Sequence, residues 1–329
     1  MRALVTGAAG FIGSHLSEAL LEQGVELVAT DCFTDYYPRW VKELNLSAVV
    51  GHPRCRFVEG DLTQLNLAGL LNGVDYIFHQ AAQPGVRASW GATFESYVHN
   101  NVLATQRLLE AAKQQRVRKV IYASSSSVYG DAEAYPTREG MAPQPVSPYG
   151  VTKLAAEHLC SLYWREFSLP VVSLRYFTAY GPRQRPDMAM TRFIRAALDG
   201  HPIEIYGGGW QSRDFTYVDD VVAANLLASE KARPGRVYNI GGGVEVTVNE
   251  IIRTLERLVG ETLRTVHREE GPGEARRTSA DTSLARKELG YRPRVGLEEG
   301  LARQIAWARR LVRPQQALAE VAGLGAGAP

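Results

Sequence analysis

Along the first half of the chain, short apolar runs alternate with stretches in which apolar residues recur at helical spacing. Residues 2–6 form the first run and read as a buried strand. The segment Gly7-Ala8-Ala9-Gly10-Phe11-Ile12-Gly13 follows, and Leu16, Leu20 and Leu21 then mark one face of a helix that Gly24 suits as a stop. Residues 25–29 predict a second strand, ending at Thr30-Asp31. Further apolar runs lie at residues 55–58, 74–78 and 118–123, with helical stretches between them, the longest around residues 92–115. The alternation continues to residues 171–175. It predicts an α/β fold with a doubly wound parallel sheet covered on both faces.

Beyond residue 176 the texture changes. Loops rich in Gly, Pro and Arg appear, as in Gly181-Pro182-Arg183-Gln184-Arg185-Pro186, with shorter helices and strands after them. A smaller mixed α/β lobe capping the open end of the sheet is expected. The boundary is not clean, because Val237–Ile240 reads as a strand returning to the first lobe. The expected division gives residues 1–175 and about 213–245 to the first domain. Residues 176–212 and 246–312 form the second, and residues 313–329, rich in Ala and Gly, a flexible tail. No internal repeat is visible.

The 329 residues suffice for one large domain or two modest ones. A net charge of +2 without a basic block argues against nucleic acid as the main partner. No apolar run reaches the roughly 18 residues of a membrane span. The N-terminal residues enter the glycine segment before a signal-peptide core is complete. Cys32, Cys55 and Cys160 are odd in number and far apart. They fit neither a disulfide framework nor a zinc site, so reduced thiols in a cytoplasmic protein are expected, with no metal.

Gly7-x-x-Gly10-x-x-Gly13 directly follows a strand and opens a helix. Glycines let the backbone approach a pyrophosphate, and the helix N-terminus offers free N–H groups and a positive dipole end. Asp31 stands at the end of the second strand, 18 residues after Gly13. A carboxylate there accepts hydrogen bonds from both ribose hydroxyls and repels a 2′-phosphate, which favours NAD over NADP. Asp61, in Gly60-Asp61-Leu62, has two readings of equal weight, an adenine contact or a loop cap.

The second chemical stretch is Ser147-Pro148-Tyr149-Gly150-Val151-Thr152-Lys153. Pro148 suits a first helical position, which places Tyr149 and Lys153 at i and i+4 on one face. A phenol titrates near pH ~10, and an ammonium beside it lowers that value. Such a pair removes a proton from a sugar or alcohol hydroxyl. Alone, the spacing describes an ordinary surface pair far more often than a catalytic one.

The glycine loop, the serines at residues 124–127 with Val128-Tyr129-Gly130, and Tyr149-x-x-x-Lys153 occur together and in this order. Over residues 1 to about 310 the chain resembles the extended short-chain dehydrogenases/reductases, in their nucleotide-sugar epimerase/dehydratase group. The resemblance implies a Rossmann domain with NAD permanently lodged and a small C-terminal domain holding the nucleoside diphosphate of a UDP-sugar. It also implies a homodimer formed through the helices around residues 92–115 and 149–167. Tyr149 is implied as the base, Lys153 as its partner and a ligand of the nicotinamide ribose, and Ser125 as the hydroxyl that shares the proton. The neighbouring Ser124, Ser126 and Ser127 leave that last choice open. Cofactor contacts are implied at Gly7, Gly10, Phe11, Ile12, Gly13, Asp31, Asp61, Leu62, Ala81, Ala82 and Asn101. Arg213 is implied as the grip on the diphosphate, a task suited to a guanidinium fork. Tyr206 reads either as a stacking partner for uracil or as a core tyrosine at a strand end.

Enzymes of this group begin by removing the 4-OH proton while hydride passes from C4 to NAD, which leaves a 4-keto sugar. Dehydratases carry Thr-Asp-Glu and decarboxylases a Glu just before Val-Tyr-Gly, where this chain has Ser125-Ser126-Ser127. Serines do not supply that acid–base pair. Epimerisation at C4, an isomerase reaction, remains. The stretch from Arg175-Tyr176-Phe177-Thr178 to Arg185-Pro186-Asp187-Met188-Ala189 resembles UDP-glucuronate 4-epimerases more than galactose epimerases. The resemblance implies Arg185 on the sugar carboxylate, with hydroxyls from Thr178, Ser126 and Ser127. The expected reaction is UDP-glucuronate to UDP-galacturonate. The alternatives are a UDP-glucose/UDP-galactose 4-epimerase and a non-catalytic NAD-binding protein of the same fold. Where these epimerases often carry Arg-x-Gly-Asp, this chain has Gly271-Pro272-Gly273-Glu274. Arg268, Arg276 and Arg277 are then candidates for the missing arginine.

Overall fold

The computed structural model describes residues 1–324 apart from Glu270 and Pro272, with side chains described through residue 311. The strands are β1 (Arg2–Thr6), β2 (Glu26–Asp31), β3 (Cys55–Glu59), β4 (Tyr76–His79), β5 (Lys119–Ser125) and β6 (Val171–Tyr176). They continue as β7 (Thr178–Tyr180), β8 (Ile203–Tyr206), β9 (Ser212–Tyr217), β10 (Val237–Ile240), β11 (Glu245–Thr247) and β12 (Thr265–Arg268). The helices are α1 (Phe11–Glu22), α2 (Arg39–Leu46), α3 (Leu67–Leu70), α4 (Phe94–Tyr97), α5 (Ala104–Lys113) and α6 (Pro148–Phe167). After them come α7 (Ala189–Leu198), α8 (Val218–Lys231), α9 (Val248–Val259), α10 (Ser283–Leu289) and α11 (Leu297–Leu324).

Seven strands form one sheet in the order β10-β6-β5-β4-β1-β2-β3, every pair parallel. Its strands are apolar on successive residues because both faces are covered. Leu4, Val28, Ile77 and Val120 point into a core with Leu108 of α5 and Ala156 of α6. Their neighbours Ala3, Val5, Leu27, Phe78 and Ile121 point the other way, towards Leu16 and Leu20 of α1 and Val221 and Ala224 of α8. The connections reverse direction between β1 and β4. In open parallel sheets a crevice opens beyond the carboxyl ends of the strands at such a switch point. The strand expected to return at Val237–Ile240 is β10, with Val237 opposite Ser173 of β6. The rest of the second half builds a three-stranded sheet, β11-β9-β7, and a two-stranded one, β12-β8.

Two expectations change in detail. The helical stretch around residues 92–115 divides into a 3-10 turn (Gly91–Thr93), α4, a π-helical segment (Val98–Leu103) and α5. The expected tail over residues 313–329 begins on α11, whose backbone is helical to Leu324, and residues 325–329 lie outside the described residues. Among the described residues no helix is long and apolar enough to cross a membrane.

Candidate active site

The crevice is lined by the three glycines of the first loop, with Phe11, Ile12, Asp31, Asp61, Leu62, Ala81 and Ala82, and closes on Tyr149, Lys153 and Arg185. Elements distant in sequence meet there because each ends at the same edge of the sheet. Gly13 is fixed by close approach: a Cβ on it would lie 2.1 Å from the carbonyl oxygen of Gly7. The helix can therefore start directly against the loop. Gly10 is the N-cap of α1, and among the described residues no side chain caps it. The first N–H groups of α1 thus remain available to an anion. Asp31 accepts hydrogen bonds from the N–H groups of Ala9 (3.0 Å) and Phe33 (2.8 Å). Burial pushes its pKa up against those bonds and the charge of Lys42. Asp61 lines the crevice and also caps the loop through the N–H of Thr63 (2.7 Å) and His99 Nε2 (2.7 Å). Burial opposes its ionisation, yet those bonds hold its carboxyl below the usual range.

Asn101 lies off the crevice, and its neighbour Asn100 lines it instead. The Asn101 side chain is 1 % exposed and committed to the protein. Its Oδ1 accepts from Gln83 N (2.7 Å), while Nδ2 donates to Gln83 O (3.1 Å) and Thr152 Oγ1 (3.0 Å). The π-helical segment turns the two asparagines to different tasks, and a regular 3.6-residue period does not predict that.

Helix α6 begins as its sequence dictates. Ser147 caps it by accepting from Gly150 N (3.1 Å), and Pro148 takes the first turn. A Cβ on Gly150 would lie 2.5 Å from the carbonyl oxygen of Ser127, so the glycine lets α6 start against the serine segment. Tyr149 is thereby brought beside the Ser125 hydroxyl, which favours its ionised form. The structure separates the four serines. Ser124 donates to Glu157 Oε2 (2.6 Å), Ser125 faces Tyr149, and Ser126 and Ser127 form the following 3-10 turn off the crevice wall.

The electrostatics differ from the simple Tyr–Lys pair. Burial raises the pKa of Tyr149, and the groups that oppose it are the Ser125 hydroxyl and the Arg185 guanidinium. Lys153 shares the face of α6, but its Nζ rests 4.6 Å from the centre of the Tyr122 ring on β5. Burial lowers its own pKa to about 8. One turn further, Glu157 makes a buried two-point pair with Arg175 of β6: Nε to Oε2 at 3.0 Å and Nη2 to Oε1 at 2.6 Å. That pair joins α6, β5 and β6 directly behind the site.

Arg185 reaches the crevice from the loop after β7, while Thr178 begins that strand away from the crevice lining. On the second lobe, Tyr206 is only partly buried, so it is not a core residue, and Arg87 covers its ring at 3.7 Å. Arg213 donates to the carbonyls of Ser212 (2.9 Å) and Arg276 (3.3 Å) and lies 3.8 Å from Glu274. Arg87 reaches the same Glu274 at 2.6 Å. Arg268 is held by Glu204 and Arg277 by Glu245. The guanidinium beside Arg213 is therefore that of Arg87, which no local motif marked.

The sequence of residues 3–241 matches the model of the NAD dependent epimerase/dehydratase family. The chain belongs to this family. A UDP-glucuronic acid 4-epimerase of Bacillus cereus, solved with UDP-glucuronic acid and NAD, superposes with a TM-score of 0.92 at 44% identity, covering 94% of this chain and 100% of that one. The UDP-glucuronate 4-epimerase of Thermodesulfobacterium geofontis is 37% identical over 93% of this chain and 95% of its own length. An uncharacterized UDP-glucose epimerase of Bacillus subtilis is 43% identical over 93% of this chain and 98% of its own. The cofactor of this epimerase/dehydratase family member is NAD, as Asp31 led one to expect, and the crevice fits it. The uncapped start of α1 suits a pyrophosphate, and the buried carboxylate of Asp31 suits a ribose bearing free hydroxyls.

Proposed function

We propose that this protein interconverts UDP-glucuronate and UDP-galacturonate by epimerisation at C4. The observation that carries the reading is the convergence of Tyr149 and Arg185 on one crevice, with serines and no carboxylate at residues 125–127. The B. cereus and T. geofontis relatives support it.

Tyr149 takes the 4-OH proton, which the Ser125 hydroxyl beside the phenol shares. Bound NAD would supply the hydride acceptor and donor for C4. The glycine loop and Asp31 would hold that cofactor, and Lys153 would contact its nicotinamide ribose. Arg213, with Arg87, holds the diphosphate while the 4-keto sugar turns. The second lobe, residues 176–212 and 246–312, carries the nucleotide end. Oxidation at C4 makes a glucuronate a β-keto acid, which loses CO2 readily. Arg185, which reaches the crevice where Thr178, Ser126 and Ser127 do not, grips the carboxylate by a charge-assisted contact. The grip keeps the C5–C6 bond out of line with the ketone π system.

Incubation with UDP-glucuronate, UDP-galacturonate, UDP-glucose and UDP-galactose, without added NAD, tests this by chromatography of the products. Interconversion of the two uronates is expected. The name of the B. subtilis relative favours the second reading, a UDP-glucose/UDP-galactose 4-epimerase. Turnover of the neutral pair alone would establish that reading.

The same proposal places the protein in the cytoplasm as a homodimer. Free Cys32, Cys55 and Cys160 suit a reducing compartment. Val98 and Leu103 of the π-helical segment and Val151, Leu162 and Phe167 of α6 are exposed apolar side chains that a second copy would cover.

A further inference from the structure

The segment from Gly181 to Met188 carries Arg185, and its neighbours in the chain are tied down on two sides. Arg183 has φ of +65°, the left-handed region that a residue bearing a Cβ rarely adopts. What holds it there is helix α1. Arg183 Nη2 donates to both oxygens of Glu18, at 2.7 and 3.0 Å. His15 Nε2 bonds the carbonyl of the preceding Pro182 at 2.9 Å. His15 and Glu18 are three residues apart and so share one face of α1. On the other side, Gln184 is 2 % exposed. Its Nε2 donates to Ala179 O (2.9 Å), and its Oε1 accepts from Thr191 N (3.1 Å) and Gln304 Nε2 (3.0 Å).

Stability alone does not account for the clamp. Arg183 Nη1 is buried without a hydrogen-bond partner among the described residues. A left-handed arginine with a half-satisfied guanidinium is a poor way to fasten a loop. It is a good way to fix the direction in which the chain leaves residue 183, two residues before Arg185. The helix that supplies Glu18 also starts at the glycine loop, so the clamp ties the cofactor-binding helix to the arginine that meets the sugar.

We propose that Glu18, through Arg183 and assisted by His15, is a positioning residue that aims Arg185 at the C6 carboxylate. The inference rests on the reading of Arg185 as the carboxylate ligand. Without the aim, the 4-keto uronate is free to align its C5–C6 bond with the ketone. The electron pair of that bond then passes into the C4 carbonyl, CO2 leaves, and the enolate takes a proton from water at C5. The product is a UDP-4-keto-pentose, with the cofactor left reduced.

The test uses the holoenzyme with Glu18→Ala and Arg185→Ala in parallel. Three quantities are read: KM for UDP-glucuronate, the inhibition constant of UDP, and the fraction of turnovers that release CO2. For Glu18→Ala the expected result is a uronate KM raised about tenfold, a UDP constant within about twofold of the parent, and CO2 release above the parent level. Combining Glu18→Arg with Arg183→Glu should recover part of the lost uronate affinity. If Arg185→Ala shows these effects and Glu18→Ala does not, this inference is overturned and the reading of Arg185 stands. If neither shows them, that reading fails and the inference falls with it. If Glu18→Ala raises both constants equally, the clamp serves folding alone and the inference is again overturned. Should Glu18→Ala not fold with NAD bound, Glu18→Gln, which keeps the shape and removes the charge, is judged by the same three readouts.

Discussion

Arg185 lays both Nε and Nη2 on the carboxylate of Asp187, each at 3.0 Å. The same carboxylate accepts from the Tyr36 hydroxyl at 3.2 Å. The Arg185 guanidinium is therefore neutralised by its own chain. If Arg185 binds the sugar carboxylate as proposed, the ligand must share that guanidinium with a like charge. Asp187→Asn keeps the side-chain shape and removes the repulsion. UDP-glucuronate should then bind about tenfold more tightly, roughly 1.4 kcal/mol. That is well within what two like charges a few ångströms apart exert at a partly screened site. UDP-glucose should bind as before. Calorimetric titration of both nucleotides checks this, and an equal gain for both would place Asp187 outside the C6 pocket.

Tyr149 works as a base only when ionised, and burial raises its pKa against Ser125 and Arg185. The rate should therefore climb with pH as the phenol loses its proton. Ser125→Ala removes one of the two opposing groups, so the rising limb of kcat/KM should move to higher pH. Lys153, lowered to about 8 by burial, loses its ammonium above that value, so the rise should flatten there. Tyr149→Phe should reduce turnover by about 10²–10⁴ with NAD still bound. A Ser125→Ala profile unmoved along the pH axis would remove Ser125 from the proton path.

The sheet and its glycine loop were legible because each rests on local signals: apolar runs of strand length, a glycine triplet, an acid at the next strand end. The serine segment was not, because the choice among its members is made from elsewhere. Glu157, on another element, recruits Ser124 and leaves Ser125 to Tyr149. The π-helical segment shifts the helix face so that Asn100, rather than Asn101, meets the crevice. No local motif marks Arg87, and only the fold sets it on the Tyr206 ring and on Glu274. The Tyr36 contact of Asp187 was not legible, since Tyr36 comes from the loop after β2. The expected influence of Lys153 on Tyr149 assumed that neighbours on a helix face interact. Here the Tyr122 ring draws the ammonium aside.

Two histidines should make the fold sensitive to acid. His79 is held between the hydroxyls of Thr6 (2.7 Å) and Thr105 (2.9 Å), and burial, aided by the charge of Lys153, lowers its pKa to about 3. His15 is lowered to about 4, by burial and then by the charge of Arg183. In the unfolded chain both titrate near ~6.5. Their folded values lie below that, so as pH falls the unfolded chain takes up protons first. The stabilisation is complete above pH ~6.5 and is lost as pH drops towards the folded values, roughly 3–5 kcal/mol for His79 alone. Melting temperature should fall steadily from pH 6.5 to 4. His79→Gln should be less stable at pH 7 but lose less on acidification, and a slope equal to that of the parent would exclude His79 as the source.

The Glu157–Arg175 pair behind the site gives the last prediction. Its side chains are 6% and 4% exposed, so neither charge has water to fall back on. Removing one partner leaves the other charged and buried, which costs about 3–5 kcal/mol in such pairs. Glu157→Ala should therefore lower stability by about that amount, with Arg175 still making its single bond to the Glu139 carbonyl (3.3 Å). Arg175→Met on the same background removes the stranded charge and keeps apolar volume against Tyr129, whose ring lies 4.6 Å from the guanidinium carbon. The double variant should recover most of the loss. It should still fall about 1–2 kcal/mol short, because Ser124 loses the acceptor it holds at 2.6 Å. Urea unfolding of the parent, the two single variants and the double variant measures the coupling. A double variant no more stable than Glu157→Ala would mean that the carboxylate acts through Ser124 and α6 rather than by neutralising Arg175.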